Sequence, residues 1–135
     1  MSWDYLNDFF GKFRKKKTRF TNLEVKAKNL LKSFLKGELN DKEFANAFED
    51  VRSRFVELIT VNGQTTIDQD TPLWLNTLLG IHYAKWLNYQ QIKWYFEEHP
   101  EELTGENQHE FRRIQDMGYD EMFKDACITV LKETN

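Results

Sequence analysis

The sequence predicts an all-α domain of six to seven helices, interrupted by a short β-hairpin near residues 60–68. Three observations carry this. Apolar residues recur at three- and four-residue spacing along most of the 135-residue chain. Capping and stop residues punctuate those stripes. One β-branched stretch carrying an Asn-Gly pair breaks them. The length suits a single domain, which commonly runs to ~100–150 residues. Eleven Phe, five Tyr and four Trp supply a core, and each such ring buries roughly 150–250 Å². The mean hydropathy of −0.71 reflects charged outer faces.

Residues 1–20 read as a basic amphipathic segment. Trp3, Leu6, Phe9, Phe10 and Phe13 recur at helical spacing, and Arg14-Lys15-Lys16-Lys17 follows. Gly11 weakens this helix by roughly 1 kcal/mol relative to Ala. In the next helix Leu23, Ala27, Leu30, Leu31, Phe34 and Leu35 share one face. Gly37 ends it by taking a left-handed C′ position. Asn40 then caps a third helix, with Glu43 placed as the capping-box acid. Phe44, Ala47, Phe48, Val51, Phe55, Leu58 and Ile59 continue that helix as a stripe. The short connection makes these two helices, spanning about residues 22–59, antiparallel neighbours.

Residues 60–71 break the pattern, and Asn62-Gly63 there is a strong turn signal; both a brief hairpin and a long loop fit. Thr71 as N-cap and Pro72 at the first helical position restart the helix. Its inner stripe is Leu75, Leu78, Leu79, His82 and Trp86. A separate, shorter helix runs through Ile92, Trp94, Tyr95 and Phe96 and ends near His99-Pro100. Phe111, Ile114 and Met117 mark the next, stopped by Gly118. Met122, Phe123, Ala126, Cys127, Val130 and Leu131 mark the last.

Charge divides the chain. Residues 1–36 hold ten Lys/Arg against three Asp/Glu, and residues 37–135 hold nine against nineteen, so +7 precedes −10. The basic run from Lys12 to Arg19 has two readings. It is a phosphate- or membrane-attracting anchor, or a solvated helix end whose cations suit the macrodipole. The acidic body opposes sustained approach to anionic DNA or lipid. No apolar run reaches the ~18–20 residues needed to span a bilayer, and Met1-Ser2-Trp3-Asp4 does not read as a secretory signal. A cytoplasmic protein is expected, with neither stable membrane insertion nor direct nucleic-acid contact.

No motif of catalysis emerges. Gly-x-Ser-x-Gly, HExxH and P-loop patterns are absent. Cys127 lies late in its helix on the apolar stripe, where a thiol behaves as a small hydrophobe. His82 reads as a hydrogen-bonded core residue. His99 and His109, with Glu101, Glu102 and Glu106 between them, offer nitrogen and oxygen ligands. Pro100 and Gly105 imply loops, however, and the spacing matches no zinc pattern. No catalytic residue, cofactor, metal or small-molecule substrate is expected.

The acidic half is more suggestive. Residues 97–125 hold ten acids against Arg112, Arg113 and Lys124, directly after the aromatic-rich stretch 83–96. Consecutive residues on a helix point ~100° apart, so Trp94, Tyr95 and Phe96 cannot all face one core. Trp and Tyr are enriched at interface hot spots. Tyr89, Trp94, Tyr95, Glu97, Glu98, Glu101 and Glu102 are therefore candidate partner-binding residues, with Asp68 and Asp70 on the long loop as a second set.

The stretch Leu30-Leu31-Lys32-Ser33-Phe34-Leu35-Lys36-Gly37-Glu38-Leu39-Asn40-Asp41-Lys42-Glu43-Phe44, continuing to Phe48 and Phe55, resembles the first helix pair of small bacterial toxin-immunity proteins. These are the colicin-like group and the immunity proteins of contact-dependent inhibition systems. The resemblance implies a helical inhibitor that binds a cognate toxin, commonly a nuclease, and blocks its active site or substrate path. It assigns no binding residue. Charge supports the same expectation: nucleases hold phosphates in cationic clefts, and complementary charge steers association to ~10⁸–10⁹ M⁻¹s⁻¹ at low salt. The expected partner is thus a basic protein toxin, most simply a nuclease domain. The other reading is a nucleic-acid- or membrane-associated adaptor acting through the basic segment.

Overall fold

The computed structural model describes residues 17–134; the expected amphipathic helix at the N-terminus and most of the basic run lie outside them. Helix α1 spans Thr21–Leu35 and α2 spans Asp41–Ile59. Their connection follows the predicted chemistry. Gly37 takes φ +79°. Its N–H reaches the Phe34 carbonyl at 3.1 Å, and the Glu38 N–H reaches Ser33 at 2.9 Å. That pair of bonds is a Schellman cap, which satisfies two carbonyls at the helix end. Three residues later the Asn40 side chain accepts from the Glu43 N–H at 2.9 Å. The Glu43 carboxylate accepts from the Asn40 N–H at 3.0 Å, closing the capping box. With both ends fixed, α1 and α2 pack side by side.

Strands β1 (Thr60–Val61) and β2 (Gln64–Thr65) form an antiparallel hairpin in which Thr60 faces Thr65 and Val61 faces Gln64. Asn62 (φ 53°) and Gly63 (φ 77°) make its two-residue turn. Positive φ at both positions matches the right-handed strand twist, which is why Asn-Gly occurs here.

Beyond the loop, α3 (Leu73–Thr77) runs without interruption through a π-helical turn, Leu78–Tyr83, into α4 (Ala84–Glu98). This corrects two sequence expectations. The helix expected to carry the stripe to Trp86 and the one expected through Ile92 are one rod, because nothing between them breaks the backbone ladder. Thr71 does not cap the rod: extended Pro72 holds the cap position (ψ 113°), and helix begins at Leu73. Thr71 instead bonds within its own loop to Asp68. The π turn also shifts the phase of the buried stripe. Tyr83 is fully buried, whereas His82, the expected core residue, is only partly so.

A single 3₁₀ turn (Pro100–Glu102) leads to α5 (Gly105–Asp116), and Gly118 at φ 72° turns the chain into α6 (Tyr119–Glu133). The core is aromatic. Phe34 stacks on Phe44 at 4.3 Å, Phe44 on Phe48 at 4.9 Å, and Trp86 on Phe123 at 5.0 Å. These contacts tie α1, α2, α4 and α6 into one cluster that also encloses Leu31, Leu75, Leu78 and Cys127. Two polar groups brought into it are paired. The Tyr83 hydroxyl donates to Glu49 at 2.9 Å, and the Trp74 indole N–H donates to buried Glu24 at 2.8 Å. No helix among the described residues is long and apolar enough to cross a membrane.

Candidate partner-binding surface

The last turn of α4 separates the three consecutive aromatics as helical geometry requires. Trp94 packs against the core with Lys42 Nζ 5.7 Å from its ring centre. Phe96 turns toward α5 and meets Phe111 at 5.4 Å. Tyr95 points out and is 46% exposed.

Pro100 then sets the local geometry. A residue preceding proline is pushed out of the α region, and His99 accordingly ends the helix at φ −128°, ψ 62°. The chain turns back over α4, with Glu102 N–H bonding the His99 carbonyl at 3.0 Å and Leu103 N–H bonding Pro100 at 3.1 Å. This reversal delivers Glu101 and Glu102 to Tyr95. The phenol donates to Glu102 Oε2 at 2.5 Å, and its ring packs against the His99 ring at 4.6 Å. His99 Nδ1 lies 3.4 Å from Glu101 and 3.8 Å from Glu102. The Glu102 carboxylate holds the Tyr95 phenol above its ordinary pKa, since the hydrogen bond requires the proton to stay.

Glu97 and Glu98 are exposed on the same turn. From residue 94 to 111 the chain contains six acids and no Lys or Arg, and the C-terminal end of α4 adds its own partial negative charge. The result is an exposed aromatic ring held by Glu102 beside Glu101, at the end of an acidic stretch.

The ligand atoms of His99, Glu101 and Glu102 lie within 4.8 Å of one another. One nitrogen and two carboxylates fall short of the four ligands of structural zinc. His109, the other histidine considered, is not among them.

The other predicted residues fare differently. Tyr89 is corrected: it is 7% exposed, stacked between Phe111 and Tyr119 at 6.3 and 5.9 Å. The phase of the rod turns it toward the α5–α6 corner, so it supports the surface from behind. Trp94 is half-buried and packed against the core. Asp68 and Asp70 belong to the fold. Asp68 accepts from Arg19 Nη2 at 2.8 Å and from the Asp70 N–H at 2.9 Å, and Asp70 lies 3.9 Å from Arg19. Arg19 also donates to the Leu58 carbonyl at 3.1 Å. Its guanidinium holds the Asp68 carboxyl below its ordinary range. The last cation of the basic run is thereby used internally.

His99 was missed as part of this surface. The available signal was its place before Pro100, which fixes where the helix stops. Comparison with family models, with curated proteins and with solved structures finds no match to this chain.

Proposed function

We propose that this protein is a non-enzymatic, stoichiometric inhibitor of a basic protein, and that its target is a bacterial nuclease toxin. The observation that carries this reading is the exposed Tyr95 ring, hydrogen-bonded to Glu102, with Glu101 near it and Glu98 one helical turn on. A fixed aromatic side chain loses little entropy on binding, and flanking carboxylates suit a cleft built to hold phosphates. The resemblance of the α1–α2 hairpin to toxin-immunity proteins supports the same class. Tyr95 is the anchor, slowing dissociation. The four glutamates steer the encounter and take the place of substrate phosphates on the target.

The test is affinity capture with the full chain from a bacterial lysate, at low and high salt. A basic protein with nuclease activity, released by salt and inhibited by the chain in a one-to-one complex, is the expected result. Reversing Glu97, Glu98, Glu101 and Glu102 to Lys should abolish that capture. Unchanged capture after the reversal sinks the proposal. Removal of residues 1–19 bears on a different arm of the question, because an adaptor acting through its basic segment would lose its partner with that deletion.

A further inference from the structure

The turn that closes α4 brings an imidazole and two carboxylates to one point. His99 Nδ1 lies 3.4 Å from Glu101 Oε1 and 3.8 Å from Glu102 Oε2. One ligand atom from each of the three residues falls within 4.8 Å of the other two. Zinc takes imidazole nitrogen at ~2.0–2.1 Å and carboxylate oxygen at ~2.0–2.2 Å, so two ligands of a tetrahedral ion sit ~3.4 Å apart. The His99–Glu101 separation already has that value. The His99–Glu102 separation exceeds it by a few tenths of an ångström, which a small side-chain rotation closes.

The surrounding bonds keep the three groups together. Pro100 starts the 3₁₀ turn, the Glu102 N–H bonds the His99 carbonyl at 3.0 Å, and the Asn107 side chain donates to the Glu102 carbonyl at 3.0 Å. The Tyr95 hydroxyl donates to Glu102 Oε2, the kind of outer hydrogen bond that orients a ligating carboxylate. No cation competes for the two acids. Among the described residues, the ion pairs of Lys and Arg fall on Asp41, Glu49, Glu57, Asp68, Asp70 and Glu110. Carboxylates alone would suit magnesium or calcium, but an imidazole ligand favours zinc, copper or nickel. His99 is half-exposed, so water has access to the fourth position.

We propose that His99 Nδ1, Glu101 and Glu102 bind one divalent transition cation of the zinc class, with water as the fourth ligand. The site is open, unlike the closed four-ligand sites of structural zinc. It stands whether or not the same turn contacts a basic protein, although a dication there would offset both carboxylates and compete with such a partner.

Titration of the metal-free full chain with Zn²⁺ at neutral pH, followed by calorimetry and imidazole NMR, tests this. Saturable one-to-one binding is expected, with the His99 ring signals moving and those of His82 and His109 staying in place. His99→Ala, and separately E101Q/E102Q, should weaken binding by at least about tenfold. Mg²⁺ in place of Zn²⁺ should bind far more weakly, since it prefers oxygen ligands. No saturable binding, full affinity in either variant, or Mg²⁺ binding as tightly as Zn²⁺ overturns the proposal. Movement of the His82 or His109 signals in place of those of His99 overturns it as well.

Discussion

Asp120 holds Trp86 in place from the first turn of α6: its Oδ1 accepts from the indole N–H at 3.0 Å. The same oxygen accepts from the side-chain amide of Gln90. Trp86 and Gln90 are both fully buried, so this carboxylate links the polar edge of the α4 core face to α6. Asp120→Ala leaves two buried donors without their acceptor, at about 1–3 kcal/mol for each such group. The expected loss is therefore about 2–6 kcal/mol in urea unfolding. Asp120→Asn keeps an acceptor oxygen and should lose less.

Acid should weaken the fold through Glu49. The Arg52 guanidinium bonded to it lowers its pKa below the ordinary 4.5, the Tyr83 hydroxyl adds to this, and partial burial works against it. A depressed carboxylate contributes stability above its unfolded pKa and loses that contribution as pH falls through the folded value. Glu49→Gln should thus be less stable at neutral pH and show a shallower decline on acidification. Urea midpoints measured from neutral pH down through the carboxylate range read both effects.

Tyr95 should report on its carboxylate partner. Replacing Glu102 by Gln removes the charge that holds the phenol protonated, so Tyr95 should titrate at lower pH, closer to the ordinary 10.0. Ultraviolet difference titration, with Tyr95→Phe identifying the signal, measures the shift. The urea midpoint should not change, since both groups lie at the surface.

Cys127 should be inert. It is fully buried against the aromatic cluster, and burial pushes its thiol up to about 12. A thiolate is the reactive form, so an aromatic disulfide reagent should modify it only as fast as the chain opens. Rapid modification of the native protein would contradict the packing.

Sequence legibility followed the range of the interactions involved. The Schellman turn at Gly37, the capping box of Asn40 and Glu43, and the Asn62-Gly63 hairpin are local, and each was readable from a few adjacent residues. The exposure of Tyr95 was constrained by helical geometry, although which of residues 94–96 would face out depended on the packing of α2 and α5. The π turn was not readable, because it lies in a segment with ordinary helical composition and no Pro. That omission led to His82 in place of Tyr83 as the core residue. Tyr89 was misplaced for a related reason: its burial depends on Phe111 and Tyr119, from helices distant in sequence. The use of Asp68 and Asp70 by Arg19 joins residues nearly fifty positions apart, which no local pattern announces.

The π turn has a consequence for where the acidic surface points. Tyr83 sits upstream and Tyr95 downstream on one stiff rod, so the azimuth of the acidic end is set by how many residues the turn at Leu78–Tyr83 contains. Winding the same six residues as α-helix, with none removed, would rotate everything beyond them by ~100° about the rod axis. Tyr95 would swing around the axis while Trp86 and Gln90 left their places beside Asp120. The aim of the binding end and the integrity of the core are thus coupled through a single helical turn, and losing its wide winding would disturb both together.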